Sequence, residues 1–204
     1  FSTFSSVGYT DKSLQRLYNI WKKNIKIEDL KLNDDDYNEL AMNLALYGHP
    51  DSENILVSAE ESISNPDKLN RFKFLLPSLS NDLQTKNTFF KSLKKEENRA
   101  KESWVANAMN NLNHPLHQKE SIQYLRASLD LLDEIQKTGD IFFPKRWLSS
   151  TIGNYTSPKA DEILQTFFHE NPDLNPSLKS KVLQASDDLR RVQNLQKQVD
   201  TSVN

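Results

Sequence analysis

The sequence predicts an all-α chain: a right-handed solenoid of helical hairpins, a HEAT- or armadillo-like superhelix of about ten helices. Three observations lead there. Apolar residues recur at helical spacing in segment after segment, while strand-type alternation is nearly absent. Only four glycines and eight prolines interrupt the 204 residues, and they stand where helix ends need them. The connections between periodic segments are mostly short, which makes consecutive helices neighbours and lets hairpins stack into a curved array.

After a loose start, Thr10 and Asp11 open a first helix whose apolar face is Leu14, Leu17, Tyr18 and Trp21. Asn33 caps a second, carrying Tyr37, Leu40, Ala41 and Leu44, and Gly48 closes it in the left-handed conformation. Asp51 begins a third through Ile55, Leu56 and Ala59. Asn65 caps a fourth whose first residue, Pro66, occupies a position where the missing N–H costs nothing. That helix is expected to end by Pro77. Ser80 caps a fifth (Leu83, Phe90, Leu93), and a sixth surrounds Trp104, Val105, Ala108, Met109 and Leu112.

The seventh is the longest internal helix, from about His117 to Lys137, and it ends at Gly139. Pro144 starts an eighth with Trp147, Leu148 and Ile152. Ser157-Pro158 and Asn175-Pro176 repeat the cap-plus-proline signature before a ninth helix (Ile163, Leu164, Phe167, Phe168) and a tenth (Leu178 to Val192). Phe89, Phe90, Phe167 and Phe168 all read as core. Two segments, LALYGHPDSEN and MNNLNHPLHQK, each end a helix in His-Pro and open another, with Pro50 and Pro115 65 residues apart. That spacing fits two stacked helix pairs.

The length suits one domain over residues 1–204. A mean hydropathy of −0.71 and 26% charged residues mark a surface-rich, elongated composition. The net charge of −2 and a pI near 6.1 do not advertise nucleic acid or an anionic membrane. No apolar run approaches the roughly 20 residues that span a bilayer. With no cysteine, disulfides, thiolate catalysis and cysteine-held zinc are excluded. The chain opens at Phe1 without a start methionine or signal segment, and a domain excised from a longer protein is expected.

The search for chemistry returns little. His49 and His114 precede prolines at helix ends and read as C-terminal capping groups. His114, His117 and Glu120 are spaced to meet one ion, but Pro115 kinks the segment and no further acid is near. His169 reads as surface. Asp34, Asp35 and Asp36 stand at a helix start, where negative charge complements the dipole. The run KSLKKEENRAKE, from Lys91, mixes both signs at helical spacing and reads as a solvated face. No H-E-x-x-H, glycine-rich phosphate loop or nucleophile elbow occurs, so catalytic and metal residues are expected to be none.

The stretch EIQKTGDIFFPKRWL (Glu134 to Leu148), with ESWVANAMNNLNHP from Glu102 and QASDDLRR from Gln184, resembles the C-terminal helical domain of aminopeptidase N-like zinc metallopeptidases. SISNPDKLNRFKFLLPSLS from Ser62, HPLHQKESIQYLRASLDLL from His114 and NPSLKSKVLQASDDLRR from Asn175 extend the similarity over most of the chain. They look like bacterial members of Bacteroides type, whether cytoplasmic or exported.

The resemblance implies a parent enzyme whose zinc, held in an upstream catalytic domain, activates water to remove N-terminal residues from peptides. This chain would be the part without the catalyst, since the G-x-M-E-N loop and the zinc motif of that family are both absent here. It would cap the active-site chamber and control the entry of peptide substrates. Its partners would be the upstream domain and the peptides, with no nucleic acid and no membrane span.

Candidate chamber-lining residues are Trp104, Asn107, Asn111, Lys145, Arg146 and Trp147. Arg146 would pair with a peptide carboxylate by a forked hydrogen bond, while Trp147 reads more readily as core than as wall. The alternative is a free-standing helical-repeat scaffold that binds a protein partner along its concave face.

Overall fold

The structure, a computed structural model, describes residues 1–202, and among them every regular element is helical. Thirteen α-helices and three short 3-10 turns replace the ten expected helices. One of the three additional helices is α1 (Ser2–Val7), in the segment expected to be loose. The others come from two breaks.

The chain divides into two compact units, Phe1–Lys86 and from Asn87 onward. In the first, α2 (Asp11–Trp21) packs on α3 (Asp34–Leu46), α3 on α4 (Ser52–Ser62), and α4 on α5 (Pro66–Leu79). This is the sequential order that short connections impose. Leu17, Ile20, Leu40, Ala41, Leu44 and Ile55 interlock with Phe72 as its core. Each buried Leu or Ile contributes about 2 kcal/mol of transfer free energy.

The caps follow the sequence closely. Asn33 and Asp36 form a reciprocal capping box, and Asn65 accepts from Asp67 N and Lys68 N ahead of Pro66. Gly48 takes φ 76° at the end of α3. The Tyr18 hydroxyl donates to Asp51 Oδ2 at 3.0 Å, tying α2 to the start of α4. Pro77 does not end its helix: α5 continues to Leu79. A proline so near a C-terminus forfeits only one backbone bond, the one its missing N–H would give Lys73 O, and the Ser78 hydroxyl donates back to Leu75 O at 2.6 Å. Next comes α6 (Leu83–Ser92), capped not by Ser80 but by Asp82, which accepts from Gln84 N and Thr85 N.

The second unit contains α7 (Glu102–Leu112), α8 (Gln118–Asp130), α9 (Leu132–Thr138), α10 (Phe143–Ser149), α11 (Pro158–Glu170), α12 (Pro176–Ala185) and α13 (Asp187–Ser202). Helix α8 packs on α11 and α10 on α12, around fully buried Trp147, Tyr155, Phe143, Met109 and Leu112.

The long seventh helix breaks at Leu131. Ser128 O, the carbonyl that Leu132 N–H would use, instead accepts from the Trp147 indole at 2.9 Å. The tenth breaks at buried Ser186, whose hydroxyl bonds back to Val182 O at 2.9 Å. Phe90 and Phe167 are buried as expected, but Phe89 and Phe168 are only half-buried. Neighbours on a helix lie about 100° apart, so one core face rarely takes both. No described helix is long and apolar enough to cross a membrane.

Candidate functional site

The stretch that carries the resemblance folds into an elbow between α9 and α10. Gly139 ends α9 at a place where only hydrogen fits: a Cβ there would lie 2.7 Å from Phe143 Cδ1 and 2.9 Å from Ile135 O. Asp140 then organises the turn. Its carboxylate accepts from Phe142 N (2.6 Å), Phe143 N (2.9 Å) and Arg146 Nη2 (2.5 Å), while its own N–H donates to Glu102 Oε1 on α7 at 2.7 Å. Arg146 Nη2 also donates to Glu102 Oε2 at 2.9 Å.

Burial works against ionisation of Asp140. The hydrogen bonds from Phe142 N–H and Arg146, with the guanidinium charge, outweigh it and hold the carboxyl below its ordinary range. The elbow is thus stitched to α7 by two charges and a backbone bond. On it, Ile141 and Phe142 stand out with 74% and 67% of their surface exposed. The turn thus presents two large apolar side chains next to each other in sequence.

Among the residues named from sequence, Trp104, Asn107 and Asn111 fall on one half-buried stripe of α7, three and four residues apart. Lys101 lies over the Trp104 ring at 5.7 Å. Lys145 is exposed on α10, and Arg146 is half-buried and engaged by Glu102 and Asp140. Trp147 is not a wall residue. It is fully buried, with its indole N–H bound to Ser128 O.

The two His-Pro histidines act on the segments that follow them. Each uses Nδ1 as an acceptor for the backbone N–H two residues on, His49 for Asp51 at 3.1 Å and His114 for Leu116 at 3.3 Å. They therefore start the following segment, which a neutral imidazole can do and a charged one cannot. Burial, then the neighbouring His117, lowers the His114 pKa from 6.5 to about 4. The rings of His114 and His117 lie 6.3 Å apart. Among the described residues no group of three or more His, Asp or Glu converges as a metal site.

Sequence patterning missed Arg99. In a run read as solvated, it is 3% exposed, donating to Leu93 O at 2.7 Å and pairing with Glu134 at 2.5 Å. Nothing local in KSLKKEENRAKE marks that one charge for burial, because both of its acceptors are set by the fold. Comparison of the chain with known protein families, with curated proteins and with solved structures returns no match.

Proposed function

We propose that the chain is the non-catalytic C-terminal helical domain of a zinc-dependent aminopeptidase, capping the active-site chamber and limiting which peptides enter. The observation that carries this is the elbow. The residues of Glu134–Leu148 that resemble the family build a rigid turn with two apolar side chains exposed at its tip, fixed to α7 through Asp140, Arg146 and Glu102. Such a turn suits docking against an upstream catalytic domain.

The chain's own residues do not fit zinc. The sequence lacks H-E-x-x-H, and the nearest imidazole pair is engaged in backbone bonding at His114. The metal of the proposed parent therefore belongs to the upstream domain.

The test begins with the reading frame upstream of Phe1. An in-frame H-E-x-x-H, with a further glutamate about one helix pair downstream, is expected. The purified full-length product should then release N-terminal residues from peptides. A frame without the motif, or a product without that activity, overturns the proposal and leaves a helical scaffold in its place.

A further inference from the structure

Two pockets of the first unit share one residue. One, of about 450 Å³, opens where α2 ends and the chain turns toward α3. Ile20, Ile25, Ile27, Leu30, Leu32 and Tyr37 give it an apolar floor, and the rest of its lining is Lys23, Lys26 and Lys31. The second, of about 440 Å³, is also lined by Ile27, with Phe1, Phe4 and Ser13, and carries Lys12 and Arg16. Among the described residues no carboxylate lines either pocket. Glu28 and Asp29, the acids nearest in sequence, are exposed on the intervening turn and line neither.

All five cations are exposed, and none is ion-paired with a carboxylate among the described residues. Lys23 lies over the Tyr37 ring at 4.8 Å, while Lys26 and Lys31 are exposed. The segment from Asp11 to Leu32 carries six basic and three acidic residues in a chain whose totals are 26 basic and 28 acidic. The charge on this face therefore runs against that of the whole.

Adjacent apolar hollows ringed by one sign of charge call for a ligand with spaced apolar groups and the opposite sign. The hollows are half-open, so a lone small molecule would be left largely in water, unlike ligands of enclosed sites. A membrane is met by protruding apolar groups, whereas these are recessed. A peptide satisfies both features, its side chains filling the hollows and its carboxylates facing the lysines.

We propose that this face of the first unit, which contains no part of the elbow, binds an acidic peptide segment of a partner protein. Two apolar side chains of that segment occupy the hollows on either hand of Ile27, and its carboxylates pair with Lys26 and Lys31 and with Lys12 and Arg16.

The test is fluorescence anisotropy with the full chain and a short labelled peptide in which leucines alternate with glutamates. Saturable binding is expected, weakening as salt rises. Replacing Lys26→Glu together with Lys31→Glu should weaken it about tenfold and confer binding of the matching lysine–leucine peptide. Ile27→Asn should weaken binding while leaving the salt dependence in place. Circular dichroism checks that each variant stays helical. No binding of the glutamate–leucine peptide, indifference to the charge reversal, or binding of phosphatidylserine vesicles in preference to the peptide would each overturn the proposal.

Discussion

Replacing Tyr155→Phe tests how the second unit is held together. Tyr155 is buried, and its hydroxyl lies 2.7 Å from Asn113 Oδ1 and 2.9 Å from Ser121 Oγ. The Asn113 amide nitrogen is occupied by Met109 O at 2.8 Å and Ser150 O at 3.2 Å, so its oxygen faces the phenol and can only accept. The single phenol proton therefore goes to Asn113. Ser121 must donate to the phenol oxygen, in competition with His117 O at 3.0 Å.

Removing the hydroxyl strands one buried acceptor, Asn113 Oδ1, while Ser121 falls back on His117 O. Leaving one buried partner unsatisfied costs about 2 kcal/mol. Ser121→Ala, which leaves the Tyr155–Asn113 bond intact, should cost less than about 1 kcal/mol. Urea denaturation in a Trp21→Phe background, where Trp104 and Trp147 alone report, would measure both. A loss below about 0.5 kcal/mol for Tyr155→Phe would refute the assignment of proton donor and acceptor, as would equal losses for the two variants.

The same phenol predicts a pH dependence. Burial raises the Tyr155 pKa, against a smaller lowering by the Ser121 hydrogen bond. A raised folded-state pKa gives stability that is fully present below the unfolded value of about 10 and is lost as pH climbs above it. Wild type should lose stability above pH 10 more steeply than Tyr155→Phe.

At the acid end, His114 has its folded pKa lowered to about 4, so its contribution is present above about 6.5 and lost as pH falls toward 4. His114→Asn keeps an acceptor for Leu116 N–H and should flatten that limb of a stability–pH profile. Gly139→Ala forces a methyl against Phe143 and Ile135 O and should cost about 1–3 kcal/mol by thermal denaturation, a wild-type midpoint refuting the steric reading. Asp29, at φ 60° in a turn closed by Leu30 N–H on Ile27 O, sits where glycine is unstrained. Asp29→Gly should raise the urea midpoint by the equivalent of about 0.5–1 kcal/mol.

Much of the fold was legible because its signals are local. Asn33, Asn65, Ser157 and Asn175 cap helices through their own side chains, and the prolines after three of them need no distant partner. The two breaks were not legible, for different reasons. At Leu131 the cause is the Trp147 indole, nineteen residues from the carbonyl it takes. At Ser186 the signal was local, a serine hydroxyl bonding back one turn, but many helical serines do so without a break. Arg99 belongs with Leu131: its charge is buried by acceptors that the fold brings near, and periodicity carries no record of them. At Asp82 the signal was local, a carboxylate two and three residues ahead of the amides it accepts from.

The elbow and the lysine-rimmed face present opposite kinds of surface, and the difference bears on how each can work. At the elbow, Arg146 Nη2 is held by both Asp140 and Glu102, so these charges serve geometry, and Ile141 and Phe142 are the exposed apolar groups at the tip. Association through such a tip should be insensitive to salt and depend on shape. On the first unit the arrangement is reversed: the apolar groups are recessed, and the lysines and arginine pair with no carboxylate among the described residues. Binding there should be steered by charge and fade with ionic strength. Salt dependence therefore separates the two surfaces. If Phe142→Ser impairs the proposed parent enzyme equally at low and high salt, while glutamate–leucine peptide binding fades with salt, each surface has its own role. If both follow salt alike, the internal pairing of Arg146 does not hold in solution.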